Sequence, residues 1–161
     1  MSKIQCKANV KLYVYAGIAK PSPKIGQALG PLGINMMAFC KEFNERTTQF
    51  KPDSPMRVLL KAYVDRSFTF VVKPPPTVWF LLKAAGKESG TEFPNLTSAG
   101  FVSAKYIYEI AKIKKEFDPD LKDKALWSIC TMIMGTCKSM GIKIVDDIAL
   151  LPRLVNPIFI K

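Results

Sequence analysis

Three consecutive prolines, Pro74-Pro75-Pro76, sit near the middle of this 161-residue chain and constrain its folding more than any other feature. A triplet of this kind favours an extended polyproline conformation and stiffens a linker. Pro76 can also occupy the first turn of a following helix, where its missing N–H is not needed. The pattern changes at the same place, from strands and one clear helix before the prolines to mostly helices after them. The chain is long enough for two small domains. The expected division is residues 1–73, a hinge at 74–76, residues 77–146 and a tail at 147–161.

Residues 8–15 contain an alternating stretch and read as a strand. Residues 56–64 read as a second, with Val58, Leu60 and Ala62 on one face, and residues 67–72 as a third. Asp65-Arg66 marks a hairpin turn, although it lacks the glycine of the strongest signal. Between the first two strands, Met36, Met37, Phe39, Cys40 and Phe43 provide the apolar positions of a helix, with Asn35 as its N-cap. Beyond the prolines, a helix over Thr77 to Ala85 stops at Gly86 and a polar loop follows from Lys87 to about Ser98. A second helix covers residues 103–116, with Ile107, Ile110, Ala111 and Ile113 or Phe117 inward. A third runs from an N-cap at Asp123 to about Met140 and ends at Gly141. Ile142 to Val145 is a short strand that can pair with Gly100 to Val102. The fold class is therefore α+β: a small N-terminal α/β domain with a three-stranded sheet, then a compact C-terminal bundle of three helices.

Lysine and arginine outnumber aspartate and glutamate by 24 to 13, a net charge of +11. Such an imbalance points to a polyanionic partner. The cations are dispersed over folded elements, which suits a shaped phosphate surface better than a polybasic lipid anchor. No apolar run reaches the roughly 18 residues that span a bilayer, so the chain reads as soluble. Residues 1–73 hold 12 cations and 4 acids; residues 74–161 hold 12 and 9. Charge alone would place a nucleic-acid site in the first domain. The segment Met1 to Val10 has no signal-peptide apolar core and is short for a transit peptide.

The chain contains no histidine, the commonest general base and metal ligand. Cys6, Cys40, Cys130 and Cys137 show no C-x-x-C spacing and read as free thiols packed as small apolar residues. The carboxylate pairs Asp118/Asp120 and Asp146/Asp147 have no partners that complete a catalytic set, and read as solvated caps and turns. No catalytic residue, cofactor or metal site is expected. Met132, Met134 and Met140 read as core filler, and Tyr106 and Tyr108 face different sides of one helix.

Two segments stand out. Residues 16–33 hold four glycines, three prolines and two lysines but no G-x-x-x-x-G-K-[ST] phosphate loop. They read either as a rigid docking surface or as an ordinary long connection. Met134-Gly135-Thr136-Cys137-Lys138-Ser139-Met140-Gly141 ends the third helix. Gly135 costs that helix about 1 kcal/mol relative to alanine, so it has a reason to be there. One reason is close packing of another helix. The other is a small polar face, bearing two hydroxyls and a lysine, that admits a sugar–phosphate backbone or an RNA minor groove.

At these segments the chain resembles the large-subunit ribosomal protein L-eleven family. The likeness is carried by Ala-Gly-x-Ala-x-Pro-x-Pro-x-x-Gly-x-Ala-Leu-Gly-x-x-Gly at 16–33 and by Phe39-Cys40-Lys41-Glu42-Phe43-Asn44. It continues through Asp65-Arg66-Ser67-Phe68-Thr69-Phe70, the proline hinge, Lys83-Ala84-Ala85-Gly86 and Gly135-Thr136-Cys137-Lys138-Ser139-Met140-Gly141. The resemblance implies a homeodomain-like helical domain that binds large-subunit rRNA in the GTPase-associated centre at the stalk base. It also implies a first domain that faces translation factors and moves on its hinge. By position, the rRNA face comprises Lys83, Lys87, Gly135, Thr136, Lys138, Ser139 and Met140. The factor- and antibiotic-facing surface comprises Pro21, Pro23, Lys24 and Gly26. Lys24 and Gln27 stand where bacterial members usually have proline, which puts antibiotic sensitivity in doubt. Lys138 stands where arginine is common, keeping the charge without the bidentate fork. The loop from Glu88 to Ala99 is less basic than the family pattern.

The partners implied are large-subunit rRNA, stalk-base ribosomal proteins, and elongation and other translational GTPases, with no membrane. Phe39 to Thr47 and Tyr108 to Lys114 resemble mitochondrial members, so a mitochondrial ribosome is expected, with another bacterial-type ribosome as the alternative. The tail from Ile148 to Lys161 lies outside the family core and reads as an extended segment packing on a neighbour. A homeodomain-like DNA-binding regulator is the rival function. The proline-rich first domain and the lack of an arginine-rich recognition helix weigh against it.

Overall fold

The computed structural model describes residues 6–52 and 54–146, and the tail expectation falls outside them. The chain forms two compact units that meet between Pro74 and Pro75. The fold is α+β.

In the first unit, β1 (Cys6–Tyr15), β2 (Pro55–Tyr63) and β3 (Phe68–Lys73) form an antiparallel sheet in the order β1-β2-β3. Strand alternation sends Met56, Val58, Leu60 and Ala62 of β2 inward, where all are buried. The sheet meets α2 (Met36–Arg46) through Phe70 of β3, and α2 buries Phe39, Cys40 and Phe43. Phe39 is the centre of this core. Its ring lies 6.0 Å from Phe43 and 5.4 Å, edge-on, from Phe70. Truncating such a fully buried ring costs about 3–5 kcal/mol. Asn35 caps α2, its side chain accepting from the N–H groups of Met37 and Ala38. The β2–β3 turn does without glycine because Arg66 itself adopts the left-handed backbone, at φ 64°. The Asp65 carboxylate supports the turn by accepting from the Ser67 N–H and hydroxyl. That hydroxyl bond holds the Asp65 carboxyl below the usual carboxylate range.

Residues 16–33 are not a loop throughout. Ser22 caps a short helix, α1 (Pro23–Leu29), which continues as a 3-10 turn over Gly30–Leu32. Ile25 and Leu29 are its buried pair. Four glycines and three prolines hide this helix from a reading of propensity. Pro23, at the first helical position, and Ser22 before it are the residues that start it.

In the second unit, α3 (Thr77–Ala85), α4 (Ala104–Phe117) and α5 (Leu126–Ser139) pack pairwise. Pro76 is the N-cap of α3 rather than its first helical residue, and Gly86 ends it at φ 63°. Ile107, Ile110, Ala111 and Ile113 line the buried side of α4. The ammonium of buried Lys114 donates to the Pro75 carbonyl at 3.4 Å, so a charged group of α4 reaches the backbone of the proline run. Strands β4 (Gly100–Ser103) and β5 (Ile142–Val145) pair in parallel, Gly100 opposite Ile142.

Two expectations are corrected here. Asp123 does not cap α5: its N-cap is Ala125, with no side-chain bond, and Asp118 instead caps a 3-10 turn over Pro119–Leu121. Asp118 is also buried, not solvated, because its carboxylate accepts the Asp120 N–H beneath the end of α4. No helix among the described residues is long and apolar enough to cross a membrane.

Candidate nucleic-acid interface

Helix α5 divides into two faces. Ile129, Ile133 and Cys137, each four residues from the last, form its buried line. Burial pushes the Cys137 thiol up to about 11 and raises those of Cys40 and, more weakly buried, Cys130. The opposite line, Trp127, Thr131, Gly135 and Lys138, is exposed. Trp127 is 73% exposed and Met132 53%. Met132 is therefore not core filler, because its position falls one residue short of Ile133; Met134 and Met140 are half-buried.

No atom lies within 4 Å of where a Gly135 Cβ would be. Among the described residues, no helix packs on this glycine closely enough to explain it. The bare backbone faces open space. Around it, the Thr136 hydroxyl donates to the Met132 carbonyl at 3.1 Å and the Ser139 hydroxyl to the Thr136 carbonyl at 2.8 Å. With their protons engaged in the helix, both oxygens offer lone pairs outward as acceptors.

The exit of α5 is built differently. Gly141 has φ +71°, and a Cβ there would collide with the Thr91 methyl and come within 3.1 Å of the Thr97 carbonyl. The loop from Lys87 to Ser98 is strapped to this exit. Thr91 N–H donates to the Met140 carbonyl at 3.2 Å, and Ala99 N–H to the Gly141 carbonyl at 2.9 Å. Gly100, at the start of β4, packs against Ala85 and the Lys87 side chain, and pairs with Ile142. The C-terminal ends of α3 and α5 therefore converge at one end of the β4–β5 pair. Each has a lysine in its last turn, Lys83 and Lys138, where a cation complements the helix dipole. Lys83, Lys87, Gly135, Lys138 and Ser139 are exposed, while Thr136 and Met140 are half-buried. The exposed Trp127, and Phe93 and Leu96 on the strapped loop, escaped the sequence reading. For Trp127 a signal existed, since it continues the Gly135 line at helical spacing.

In the first unit, Pro21, Pro23 and Lys24 are exposed at the start of α1, and Gly26 is half-buried, where a Cβ would lie 3.5 Å from the Met36 sulfur. The segment is clamped to α2. Asn44 accepts from the Ala19 N–H at 2.9 Å and donates to its carbonyl at 3.0 Å, and Thr47 accepts from the Gly17 N–H at 3.1 Å. Such bonds fix the segment without a core of its own.

Two family models cover almost all of the described chain: ribosomal protein L11, N-terminal domain, over residues 10–68, and ribosomal protein L11, RNA binding domain, over residues 73–144. The chain belongs to the ribosomal protein L11 family. It is also 44% identical over 136 residues to the large ribosomal subunit protein uL11m of Schizosaccharomyces pombe, spanning 84% of this chain and 94% of that one. This L11 protein is a structural constituent of the large ribosomal subunit with an RNA-binding domain, and not an enzyme. The DNA-binding reading gives way to it. The RNA-binding model falls on the unit with the smaller net charge, so net charge does not locate that domain.

Proposed function

We propose that the second unit is a homeodomain-like three-helix module that grips the stalk-base rRNA of the GTPase-associated centre with the end of α5. The observation that carries this reading is the empty space over Gly135 on an exposed helix face. A backbone without a side chain admits a sugar–phosphate chain closely. Thr136 and Ser139 accept from ribose 2′-hydroxyls, which distinguish RNA from DNA. Lys83, Lys87 and Lys138 neutralise phosphates around the face, and Met140 holds the strapped loop in place. Shape provides the selectivity, while the lysines position the strand.

The first unit faces elongation and other translational GTPases and the neighbouring stalk-base proteins through Pro21, Pro23, Lys24 and Gly26, and moves on the hinge at 74–76. Its clamped segment supports this role, since a docking surface fixed before binding loses little entropy on contact. The likeness to uL11m, together with the residues of α2 and α4 that resemble mitochondrial members, assigns the protein to a mitochondrial ribosome.

The test is binding of the purified chain to the stalk-base hairpin RNA across a salt series, beside a scrambled hairpin and a Gly135→Asp variant. Selective binding with a modest salt slope, lost in the variant, is the expected result. A steep slope with no preference between hairpins would reduce the interaction to charge attraction.

A further inference from the structure

The sheet of the first unit has one covered face; the other is open along β1 and closes only at the end of β3, where Lys73, beside Arg57, is buried. The inner residues, Val14, Met56, Val58, Leu60 and Phe70 among them, are buried. The register of the strands defines the other face. Asn9 lies beside Lys61 and Thr69; Lys11 beside Leu59 and Val71; Tyr13 beside Arg57; Tyr15 beside Pro55. Tyr13 is 67% exposed and Tyr15 58%.

Three features of this face act together. The first is charge: Lys11 and Lys61 are exposed, and none of the described acids before the prolines occupies a strand position. Glu42 and Glu45 are on α2 and Asp65 is in the β2–β3 turn. The second is the tyrosine pair. Two residues apart on one strand, the rings project from the same face about 7 Å from each other. The third is a cleft of about 400 Å³ at this end of the sheet, lined by Tyr13, Tyr15, Ile18, Lys20, Lys24 and Pro55. Aromatic faces interleaved with cations, beside a groove whose charged lining among the described residues is Lys20 and Lys24, are what a single strand of nucleic acid requires.

We propose that the open sheet face is a second RNA-contact surface, one that takes a single-stranded segment. Its bases stack on Tyr13 and Tyr15, and its phosphates follow Lys11 and Lys61 on one side and Lys20 and Lys24 on the other. An acidic protein would satisfy the lysines equally well. The tyrosine pair favours bases, because every base has a flat face to stack and an acidic side chain has none. This surface is separate from α5 and does not depend on how that helix is used.

The experiment uses the full chain and a fluorescein-labelled ten-nucleotide oligouridylate, with poly-glutamate as the acidic-polymer control. The tyrosine side chains point to solvent, so Tyr13→Ala/Tyr15→Ala retains the fold, checked by circular dichroism and thermal unfolding. The double variant loses about tenfold or more in affinity for the oligonucleotide. Tyr13→Phe/Tyr15→Phe retains binding, and Gly135→Asp leaves it unchanged. Lys11→Gln/Lys61→Gln lowers the salt slope by about 1.4, at about 0.7 per phosphate contact on a single strand. Unaltered affinity in the alanine pair overturns the proposal, as does loss in Gly135→Asp alone. Poly-glutamate binding that disappears with the tyrosines also overturns it, and makes the face a protein-docking surface instead.

Discussion

Gly135 and Gly141 are six residues apart at the end of one helix, and they are there for opposite reasons. Gly141 is required from within. Its backbone is left-handed, and Thr91, Pro94 and Thr97 occupy the space a side chain would need. Gly135 has ordinary helical backbone and nothing within 4 Å. The folded chain would accept a side chain there, and the function proposed above puts the requirement outside it, in the RNA. The comparison separates a residue that builds the site from one that serves it, and each can be tested apart from the other.

The largest effect is expected at the exit. Gly141→Ala adds left-handed strain of about 1–2 kcal/mol. It also adds overpacking of about 1–3 kcal/mol against the loop that straps α5. A loss near 3 kcal/mol in urea unfolding is the expected outcome, with RNA affinity falling only as the folded fraction falls. A Gly141→Ala chain of unchanged stability would break the comparison at its firmest end.

Next is Gly135→Asp, measured by binding to the stalk-base hairpin. A carboxylate over a phosphate contact costs about 2 kcal/mol, some thirtyfold in Kd. Urea unfolding of the free protein should change far less. Equal losses in both measurements would mean that Gly135 supports the fold after all.

The buried line of α5 sharpens the contrast by pH. Cys137, between the two glycines, has its thiol raised to about 11 by burial. A raised value means that the folded chain holds the proton longer than the unfolded one. The stabilisation is complete below the ordinary thiol value near 9.0 and is lost as pH rises from there to about 11. The decline attributable to this group is of order 1 kcal/mol. Comparing wild type with Cys137→Ala over that range isolates it from the rest of the chain. At pH 8 the exposed Cys6 should react with a thiol reagent well before Cys137.

These contrasts also show which parts of the molecule were legible beforehand. Periodicity marked β2, α2 and α4, because buried residues there recur at regular spacing and few special backbone angles intervene. The Gly86 and Gly141 stops were legible for a different reason, since a glycine just past the last periodic residue marks a left-handed helix end. Helix α1 was not, since its glycines and prolines carry loop propensity, and the segment leading into it is held at Gly17 and Ala19 by Thr47 and Asn44, more than ten residues away in sequence. The start of α5 was misplaced at Asp123 because a 3-10 turn capped by Asp118 precedes it, and α5 begins with no side-chain cap at all. At the candidate interface, Gly135 and Lys138 were legible as types of residue. That no described residue packs on Gly135 is a fact about three dimensions, which the order of residues along the chain does not carry.

The smallest effect tests the comparison most directly, because its two signs oppose. Gly135→Ala replaces the residue that most destabilises a helix interior with the one that least does, a gain of about 0.8–1.0 kcal/mol. Nothing nearby resists the added methyl group. The free chain should therefore unfold at higher urea, with an unchanged slope if the denatured state is unaltered. Yet under the proposed function the same methyl group stands where the RNA backbone approaches, so hairpin affinity should fall while stability rises. A glycine kept for packing loses stability on substitution, and a glycine kept for nothing loses no function. Only a residue required by a partner gives a stabler protein that binds less tightly.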